Sequence, residues 1–337
     1  MIDFKNEKPL TYEELLKIEN EIYENEQIEK NIKAEKVNIE EVTTRKIEIF
    51  HDKTFNLPQN IFFINEYKGK TIVGRKIRSV LSFENKINAI HCSMITSSML
   101  LGILKEGKQE QKNIKIEYYP FTKSEKITIF NEIKKDKLYN IFFPFKYLDY
   151  YNDEEERTAS TGWDLNPEKV IYLGYGEEHI RKYTIEFLKP YMKDNIVVFD
   201  PACSTGQFLH TIKECYPTCK TIGQDLSKEM VEYAKKYVDE IYCGDSINAK
   251  VRDESVDIMF LRFLNSEVVT TKYAYELFSK LCKKIKKDGM IIAFGHTPLL
   301  IMAEDFKKMG FKIEQSIAYD KDYDCIFQYY VLRRQNI

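Results

Sequence analysis

The chain has almost no net charge, because 51 lysine and arginine residues face 53 aspartate and glutamate residues over 337 positions. A surface that follows nucleic-acid phosphates usually needs a clear excess of basic residues, so no nucleic-acid partner is expected. No apolar run is long enough to span a bilayer, and the first residues lack the apolar core of a secretion signal. The sequence therefore predicts a cytoplasmic protein without a membrane partner.

Paired cysteine spacings are also missing. The seven cysteines show neither a disulfide framework nor a zinc-binding pattern. Cys215 and Cys219 are spaced as on one helix, but no companion pair of cysteine or histidine follows them. Reduced thiols and no metal site are therefore expected, in agreement with a cytoplasmic location.

Glycine is scarce where a phosphate-binding turn would need it. Residues 195–209 read NIVVFDPACSTGQFL, an apolar strand that ends at Asp200, turns on small residues and enters an apolar-periodic stretch. Of the three glycines in a dinucleotide fingerprint only Gly206 is present, and Asp200 would place a negative charge beside a pyrophosphate. The turn therefore favours a nucleoside ligand with a cationic amino group, although a generic α/β turn is the simpler alternative.

Two further predicted strands end in acids, which a generic turn would not explain. Asp225 follows Asp200 by 25 positions, a spacing suited to a carboxylate that accepts hydrogen bonds from a ribose diol. Alternatively, Asp225 or Ser227 caps the helix that begins there. Asp245 closes the third predicted strand in the same way.

The second half of the chain alternates regularly between strands and helices. A helix that opens at 174–178 and runs to about 192 comes first, and a final pair of strands at 311–319 and 325–333 has no helix between its members. Predicted strands lie at 196–200, 221–225, 241–244, 256–263 and 290–295, with helices at 206–215, 228–237, 268–285 and 299–309. This order predicts a parallel sheet with right-handed crossovers, closed by a hairpin that inserts one antiparallel strand.

The first half predicts a different, α+β organisation. Amphipathic helices within 11–36 would cover the body or meet a partner subunit, which makes a homodimer one expected arrangement. Strands are predicted within 37–50 and 60–81, with a turn at Gly69, and a buried helix at 90–104. Two short apolar segments follow, at 114–119 and 139–145. A charge-rich joint at 152–157 divides the chain into predicted domains 1–157 and 158–337.

The turn at 200–206 resembles the acidic-x-Gly-x-Gly-x-Gly loop of the class I S-adenosylmethionine-dependent methyltransferases, with Ala202 and Ser204 replacing the first two glycines. The resemblance covers about 175–334. It implies an α/β fold, a Rossmann-like seven-stranded class I methyltransferase sheet with an N-terminal α+β domain that acts as a substrate lid or in dimerisation. It also implies S-adenosylmethionine as cosubstrate.

The same resemblance implies where the cosubstrate is held. The loop would present backbone groups to the methionine portion, Asp225 would bind the ribose, and Asp245 would accept from the adenine amine, with Leu226 and Ile247 as apolar faces. The candidate cofactor-binding residues are Asp200, Ala202, Ser204, Gly206, Asp225, Leu226, Asp245, Ser246 and Arg262.

Methyl transfer asks mainly for in-line placement of a nucleophile, because the sulfonium is already activated. His179, His210 and His296 are candidate bases. Tyr175, between two glycines at a helix start, is a candidate aromatic wall near the sulfonium. The fourth strand ends in FLRFLN and lacks the Asn/Asp-Pro-Pro-Tyr/Phe tetrapeptide of amino-methylating enzymes, so a small-molecule acceptor is expected.

Segments 174–176, 200–208, 263–265 and 295–298 are together similar to the azetidine-2-carboxylate synthases. In that family S-adenosylmethionine is the sole substrate, and its own amine attacks its γ-carbon and expels methylthioadenosine. The resemblance implies that Asn140, Tyr175 and Ser204 orient the amine. The sequence leaves three readings open: methyl transfer to a small molecule, this cyclisation, and non-catalytic binding of S-adenosylmethionine.

Overall fold

The computed structural model describes residues 35–53, 60–77, 94–110, 113–145, 150–151, 154–155, 178–265, 268–295 and 298–335. The chain forms two compact units, one of residues 1–147 and 321–327 and the other of residues 148–320 and 328–337. The predicted domain boundary at residue 157 lies outside the described residues, as does nearly all of the predicted helical segment at 11–36.

The first unit contains a six-stranded sheet in the order β1-β5-β4-β3-β2-β6, in which all neighbours are antiparallel. Its strands are β1 (Glu48–Lys53), β2 (Asn60–Tyr67), β3 (Lys70–Ile77), β4 (Leu100–Glu110), β5 (Asn113–Pro120) and β6 (Phe142–Phe145). Helices α1 (Ile39–Val42) and α2 (Lys123–Ile133) accompany them. The strand pair predicted within 60–81 is confirmed, and it turns at Lys68 and Gly69, which both have positive φ.

The helix predicted at 90–104 is wrong over the residues that the structure describes. Residues Ser97–Met99 form a single 3-10 turn, and β4 begins at Leu100. Residues on both faces of this strand's first half are buried, so its continuous apolar run imitates a helix stripe. Gly102 allows β5 to approach, because a Cβ at that position would lie 1.9 Å from the carbonyl oxygen of Tyr119.

Two other departures in this unit concern helices. The strand predicted within 37–50 starts only at Glu48, because residues 39–42 form the short helix α1. Helix α2 had not been predicted, although Thr122 and Glu125 form the reciprocal capping box that marks a helix start. Arg45 pairs with both carboxylate oxygens of Glu125, at 2.6 and 2.8 Å, so this cap is also tied to the segment before β1.

The second unit carries the predicted seven-stranded sheet, in the order β11-β10-β9-β12-β13-β15-β14. Its strands are β9 (Val197–Asp200), β10 (Lys220–Asp225), β11 (Glu240–Cys243), β12 (Val256–Leu261), β13 (Ile285–Ala293), β14 (Phe311–Asp320) and β15 (Cys325–Arg334). The first five are parallel, and β15 runs antiparallel to β13, with Met290 opposite Arg333. A short hairpin of β7 (Tyr150–Tyr151) and β8 (Glu154–Glu155) precedes the sheet.

The helices of this unit confirm the predicted alternation at slightly shorter bounds. They are α3 (Glu178–Leu188), α4 (Gln207–Cys215), α5 (Lys228–Ala234), α6 (Thr271–Leu281) and α7 (Ala303–Lys308). Helix α6 buries Ala274, Leu277, Phe278 and Leu281, the spacing of one apolar face, in the main core of the sheet. Across the described parts of the chain, the helices are all too short or too polar to span a lipid bilayer.

The strand order places a crevice at the centre of the sheet. From β9 the chain first proceeds outward through β10 and β11, then returns to add β12 on the other side of β9. Connections that leave neighbouring strands in opposite directions open a crevice at the carboxyl ends of those strands, where α/β proteins bind their ligands. The residues that follow Asp200 and Leu261 therefore form the candidate site.

Candidate cofactor-binding site

The turn after β9 is stabilised by its own first residue. Asp200 is fully buried, and its Oδ1 accepts a hydrogen bond from the backbone N–H of Ala202 at 3.1 Å. Gly206 caps the start of α4 with φ +76°, and a Cβ there would lie 2.9 Å from that of Ala234 on α5. The geometry of the loop thus requires both the aspartate at its start and the one glycine that it retains.

Ser204 takes the place of a loop glycine but keeps the backbone conformation that glycine prefers. Its φ is +54°, in the left-handed region, where a side chain costs about 1–2 kcal/mol. Its Oγ donates to Sδ of Met230 at 3.6 Å, a weak bond. The hydroxyl is therefore held beside the loop at a cost in backbone energy.

A buried ion pair joins the turn to the fourth parallel strand. Nε of Arg262, one residue beyond β12, donates to Oδ2 of Asp200 at 2.7 Å, and the two side chains are 7% and 0% exposed. The guanidinium also lies over the ring of Phe208, 4.8 Å from its centroid, and approaches the carbonyl oxygen of Ala202 at 3.5 Å. The negative charge predicted at Asp200 is thus balanced within the fold, and the pair holds the two sides of the crevice together.

Asp225, at the end of β10, is bonded to two separate backbone segments. Its Oδ2 accepts from the N–H of Ser204 at 2.8 Å and its Oδ1 from the N–H of Ser227 at 2.9 Å. Burial raises the pKa of Asp225, while these two N–H donors lower it. Ser227, not Asp225, is the N-cap of α5, since its hydroxyl accepts from the N–H of Met230. The capping alternative for Asp225 therefore does not account for this carboxylate.

The segment after β11 completes the site on its other side. Ser246 donates its hydroxyl hydrogen to the carbonyl oxygen of Pro201 at 2.5 Å, which ties this segment to the turn after β9. Asp245 caps the following 3-10 turn by accepting from the N–H of Ile247 at 3.1 Å. Leu226 is 39% exposed, an unusual fraction for a large apolar side chain, and it directly follows Asp225. An exposed apolar side chain thus comes directly after one of the carboxylates of the site.

The structure brings together the loop residues, Asp225, Asp245, Ser246 and Arg262 through this chain of hydrogen bonds. Of the predicted catalytic residues, Ser204 belongs to this group. His179 is buried on α3, at 3% exposure, and His210 lies on α4 beside Glu214. Asn140 belongs to the first unit, where its Oδ1 is buried without a hydrogen-bond partner among the described residues. Tyr175 and His296 lie outside the described residues.

Two residues of the site had not been predicted. Gln224, fully buried, donates from Nε2 to the carbonyl oxygens of Gly244 and Asp245 at 3.2 and 2.9 Å. Tyr273 on α6 donates its hydroxyl hydrogen to Oδ1 of Asp245 at 2.7 Å. Gln224 could have been predicted, because it comes one residue before the acid that ends a strand and a buried amide needs hydrogen-bond partners. The local sequence of α6 contains no signal that predicts the role of Tyr273.

Comparison with known proteins agrees with this geometry. The family model of the methyltransferase domain matches residues 198–289, from β9 into β13. The isonocardicin synthase of Nocardia uniformis subsp. tsuyamanensis is 28% identical over 281 residues, which cover 82% of this chain and 92% of that protein.

Solved structures also resemble the chain, over about half of its length. An S-adenosylmethionine-dependent methyltransferase from Aquifex aeolicus is 17% identical with a TM-score of 0.38, and covers 50% of this chain and 99% of its own. Another from Leishmania major is 14% identical with a TM-score of 0.38, and covers 48% of this chain and 76% of its own.

The assignment rests on the match to the family model and on the order and direction of the seven strands. Residues 198–289 are similar to the methyltransferase domain family, and the C-terminal unit has the Rossmann-like seven-stranded sheet of the class I S-adenosylmethionine-dependent methyltransferase fold, with S-adenosylmethionine as its cosubstrate.

Proposed function

We propose that the protein holds S-adenosylmethionine at the carboxyl ends of β9 to β12 and uses it to methylate a small molecule. The convergence of three acid-ended strands on one hydrogen-bonded turn carries this proposal. Asp225 accepts from the ribose hydroxyls, while Asp245, Leu226 and Ile247 hold the adenine. The turn and the Asp200–Arg262 pair hold the methionine end.

The charges of these residues support a cationic ligand. Among the described residues of the site, three carboxylates, of Asp200, Asp225 and Asp245, accompany one guanidinium, that of Arg262. S-adenosylmethionine carries a sulfonium, an ammonium and one carboxylate, a net positive charge, and opposite charges in a partly buried crevice attract strongly. A dinucleotide would bring phosphates to the same place and be repelled.

The transfer itself needs few protein groups. The nucleophile's lone pair forms a bond to the methyl carbon while the bond between that carbon and sulfur breaks. The electrons of the broken bond stay on sulfur, which becomes the neutral thioether of S-adenosylhomocysteine. Orientation of the reactants supplies most of the rate. A nucleophile that carries a proton must lose it, and we assign His179 as the proposed base, with Tyr175 beside the sulfonium.

A second reaction at the same sulfonium is the alternative. The ligand's own amine attacks the γ-carbon of its side chain, a four-membered ring closes, the carbon–sulfur bond breaks, and methylthioadenosine leaves. Asn140, Tyr175 and Ser204 would orient the amine. Two observations favour this alternative: a hydroxyl is kept at the strained position 204, and the relative that aligns with most of the chain is named a synthase.

The released nucleoside distinguishes the two reactions. Purified protein is incubated with S-adenosylmethionine that carries a deuterated methyl group, with and without a small-molecule cell extract, and the products are followed by mass spectrometry. S-adenosylhomocysteine with a deuterated product supports methyl transfer, and methylthioadenosine with a cyclic amino acid in the absence of extract supports cyclisation. Methylthioadenosine formed only with extract would indicate that the amino acid portion of S-adenosylmethionine is transferred to an acceptor.

Binding is tested separately by calorimetry. Asp225→Asn is expected to weaken S-adenosylmethionine roughly 10- to 100-fold, since it removes a charged acceptor. Asp257→Asn is the matched control, because Asp257 is the second residue of β12, at the amino end of the strand, where it accepts from the N–H of Val197 and pairs with Lys286. No heat with wild-type protein, or equal losses in both variants, would refute the proposed site.

We propose a cytoplasmic protein that acts on a small molecule and not on nucleic acid. The N-terminal unit is proposed to serve as a lid over the substrate or as a dimerisation surface.

A further inference from the structure

The segment that follows β11 is held in place at both of its ends by one side chain. Gln224 on β10 donates to the carbonyl oxygens of Gly244 and Asp245, and its Oε1 accepts from the N–H of Lys250 at 3.0 Å. Gln224 is itself completely buried. Protein groups alone therefore fix the backbone that carries Asp245, and such preorganisation reduces the entropy lost on binding.

The carboxylate of Asp245 is oriented by two further donors. Its Oδ1 accepts both from the N–H of Ile247 at 3.1 Å and from the hydroxyl of Tyr273 at 2.7 Å. Tyr273 is itself fixed, because its N–H donates to the capping hydroxyl of Thr270 at 3.2 Å and its ring packs on the main core. One donor comes from the segment itself and the other from a helix packed beneath it, so the carboxylate plane is set from two directions.

We infer that Tyr273 is a positioning residue, which aims Asp245 so that the site accepts a 6-aminopurine and rejects a 6-oxopurine. The inference rests on the proposed binding of adenine beside Asp245. An ionised carboxylate can only accept hydrogen bonds, so it matches an exocyclic amine and opposes a carbonyl oxygen. A carboxylate free to rotate would discriminate less, because it could turn away from the carbonyl and admit a water molecule.

Two nucleosides that differ only at this atom test the inference. S-adenosylhomocysteine and its deaminated analogue S-inosylhomocysteine are titrated by calorimetry into wild-type protein, Tyr273→Phe and Tyr275→Phe. Tyr273→Phe is expected to weaken S-adenosylhomocysteine about 3- to 10-fold and to leave the inosyl analogue within about twofold, which lowers the ratio between them. A general loss of structure would instead weaken both ligands alike.

Tyr275 provides a closely matched control. It lies on the same helix, and its hydroxyl also donates to a carboxylate, that of Asp305 at 2.6 Å. Its substitution should leave the ratio unchanged. Asp245→Asn is the second variant, expected to shift preference towards the inosyl analogue, because an amide can donate to the carbonyl oxygen.

The outcomes separate the inference from the proposal on which it rests. If wild-type protein binds neither nucleoside, the proposed function fails and the inference with it. If Asp245→Asn changes the ratio but Tyr273→Phe does not, adenine is where we propose and Tyr273 has no positioning role. A lowered ratio in Tyr273→Phe but not in Tyr275→Phe, at an unchanged melting temperature, is the expected result.

Discussion

The ion pair between Asp200 and Arg262 offers the sharpest test of how the crevice is held together. Replacing Arg262 by methionine keeps the apolar stem but removes the guanidinium. Asp200 would then remain fully buried, with Oδ1 accepting from the N–H of Ala202 and the guanidinium lost from Oδ2. Removing the cation that pairs with a buried carboxylate is among the costliest single changes a fold can undergo.

The size of the loss follows from the burial of both partners. Removing one member of a buried pair costs about 3–5 kcal/mol, compared with about 0–1 kcal/mol for an exposed pair. A domain of this size loses about 2–4 °C in melting temperature for each kcal/mol, so Arg262→Met should lower it by roughly 6–20 °C. The double variant Asp200→Asn with Arg262→Met leaves no charge, keeps an acceptor for Ala202, and should recover at least half of the loss.

Thermal melting and hydrogen–deuterium exchange of peptides from β9 and β12 measure the effect. The control is Arg333→Met, whose pair with Glu314 at 3.3 Å is 24% and 33% exposed and should shift melting by only a few degrees. A double variant as unstable as Arg262→Met would refute the reasoning, because the loss would then come from packing against Phe208. If Arg262→Met lowered the melting temperature no more than Arg333→Met does, the reasoning would also be refuted.

Three further predictions follow from single side chains. Ser204→Gly should stabilise the protein by about 1 kcal/mol by relieving the positive φ, whereas Ser204→Ala should not, and unchanged turnover in both would remove the hydroxyl from the chemistry. Because burial raises the pKa of Asp225, affinity for S-adenosylmethionine should fall as the pH drops through that pKa. Between the pKa of Asp225 in the unfolded chain and its raised pKa in the folded protein, stability should fall as the pH rises. In Asp225→Asn, calorimetry should show a weaker pH dependence of the affinity, and thermal melting a weaker pH dependence of the stability. Asn65, only 1% exposed, has a buried Oδ1 without a partner in the described chain, so Asn65→Leu should raise the melting temperature and Asn65→Asp should lower it.

The C-terminal half was predictable because its signals are local. Each parallel strand is a short apolar run followed by turn residues and an amphipathic helix, so period and order sufficed. The first unit was harder, since β4 is apolar on both faces and cannot be told from a helix by periodicity. Helix α2 was missed despite its capping box, because its apolar residues do not form one clean stripe.

The acids of the candidate site were predictable for a related reason. Asp200 and Asp225 are the last residues of their strands and Asp245 lies two residues beyond β11, and parallel strands bring their carboxyl ends to one edge. Their partners were not predictable: Arg262, which was predicted to bind the ligand, also pairs with Asp200, 62 positions away. Tyr273 is 28 positions from Asp245, and no local pattern connects them.

The amino-acid sequence alone thus determined the class of fold, the edge of the sheet at which we propose that the ligand binds, and the acids that lie at that edge, because strand, turn and helix preferences act between near neighbours. Only the tertiary structure decided how those acids are paired: which carboxylate is neutralised, which is held by backbone donors and which is aimed by a tyrosine. Hydrogen bonds between residues far apart in the chain depend on atomic distances that exist only once the sheet has assembled, and those distances set the charge and the direction of each group.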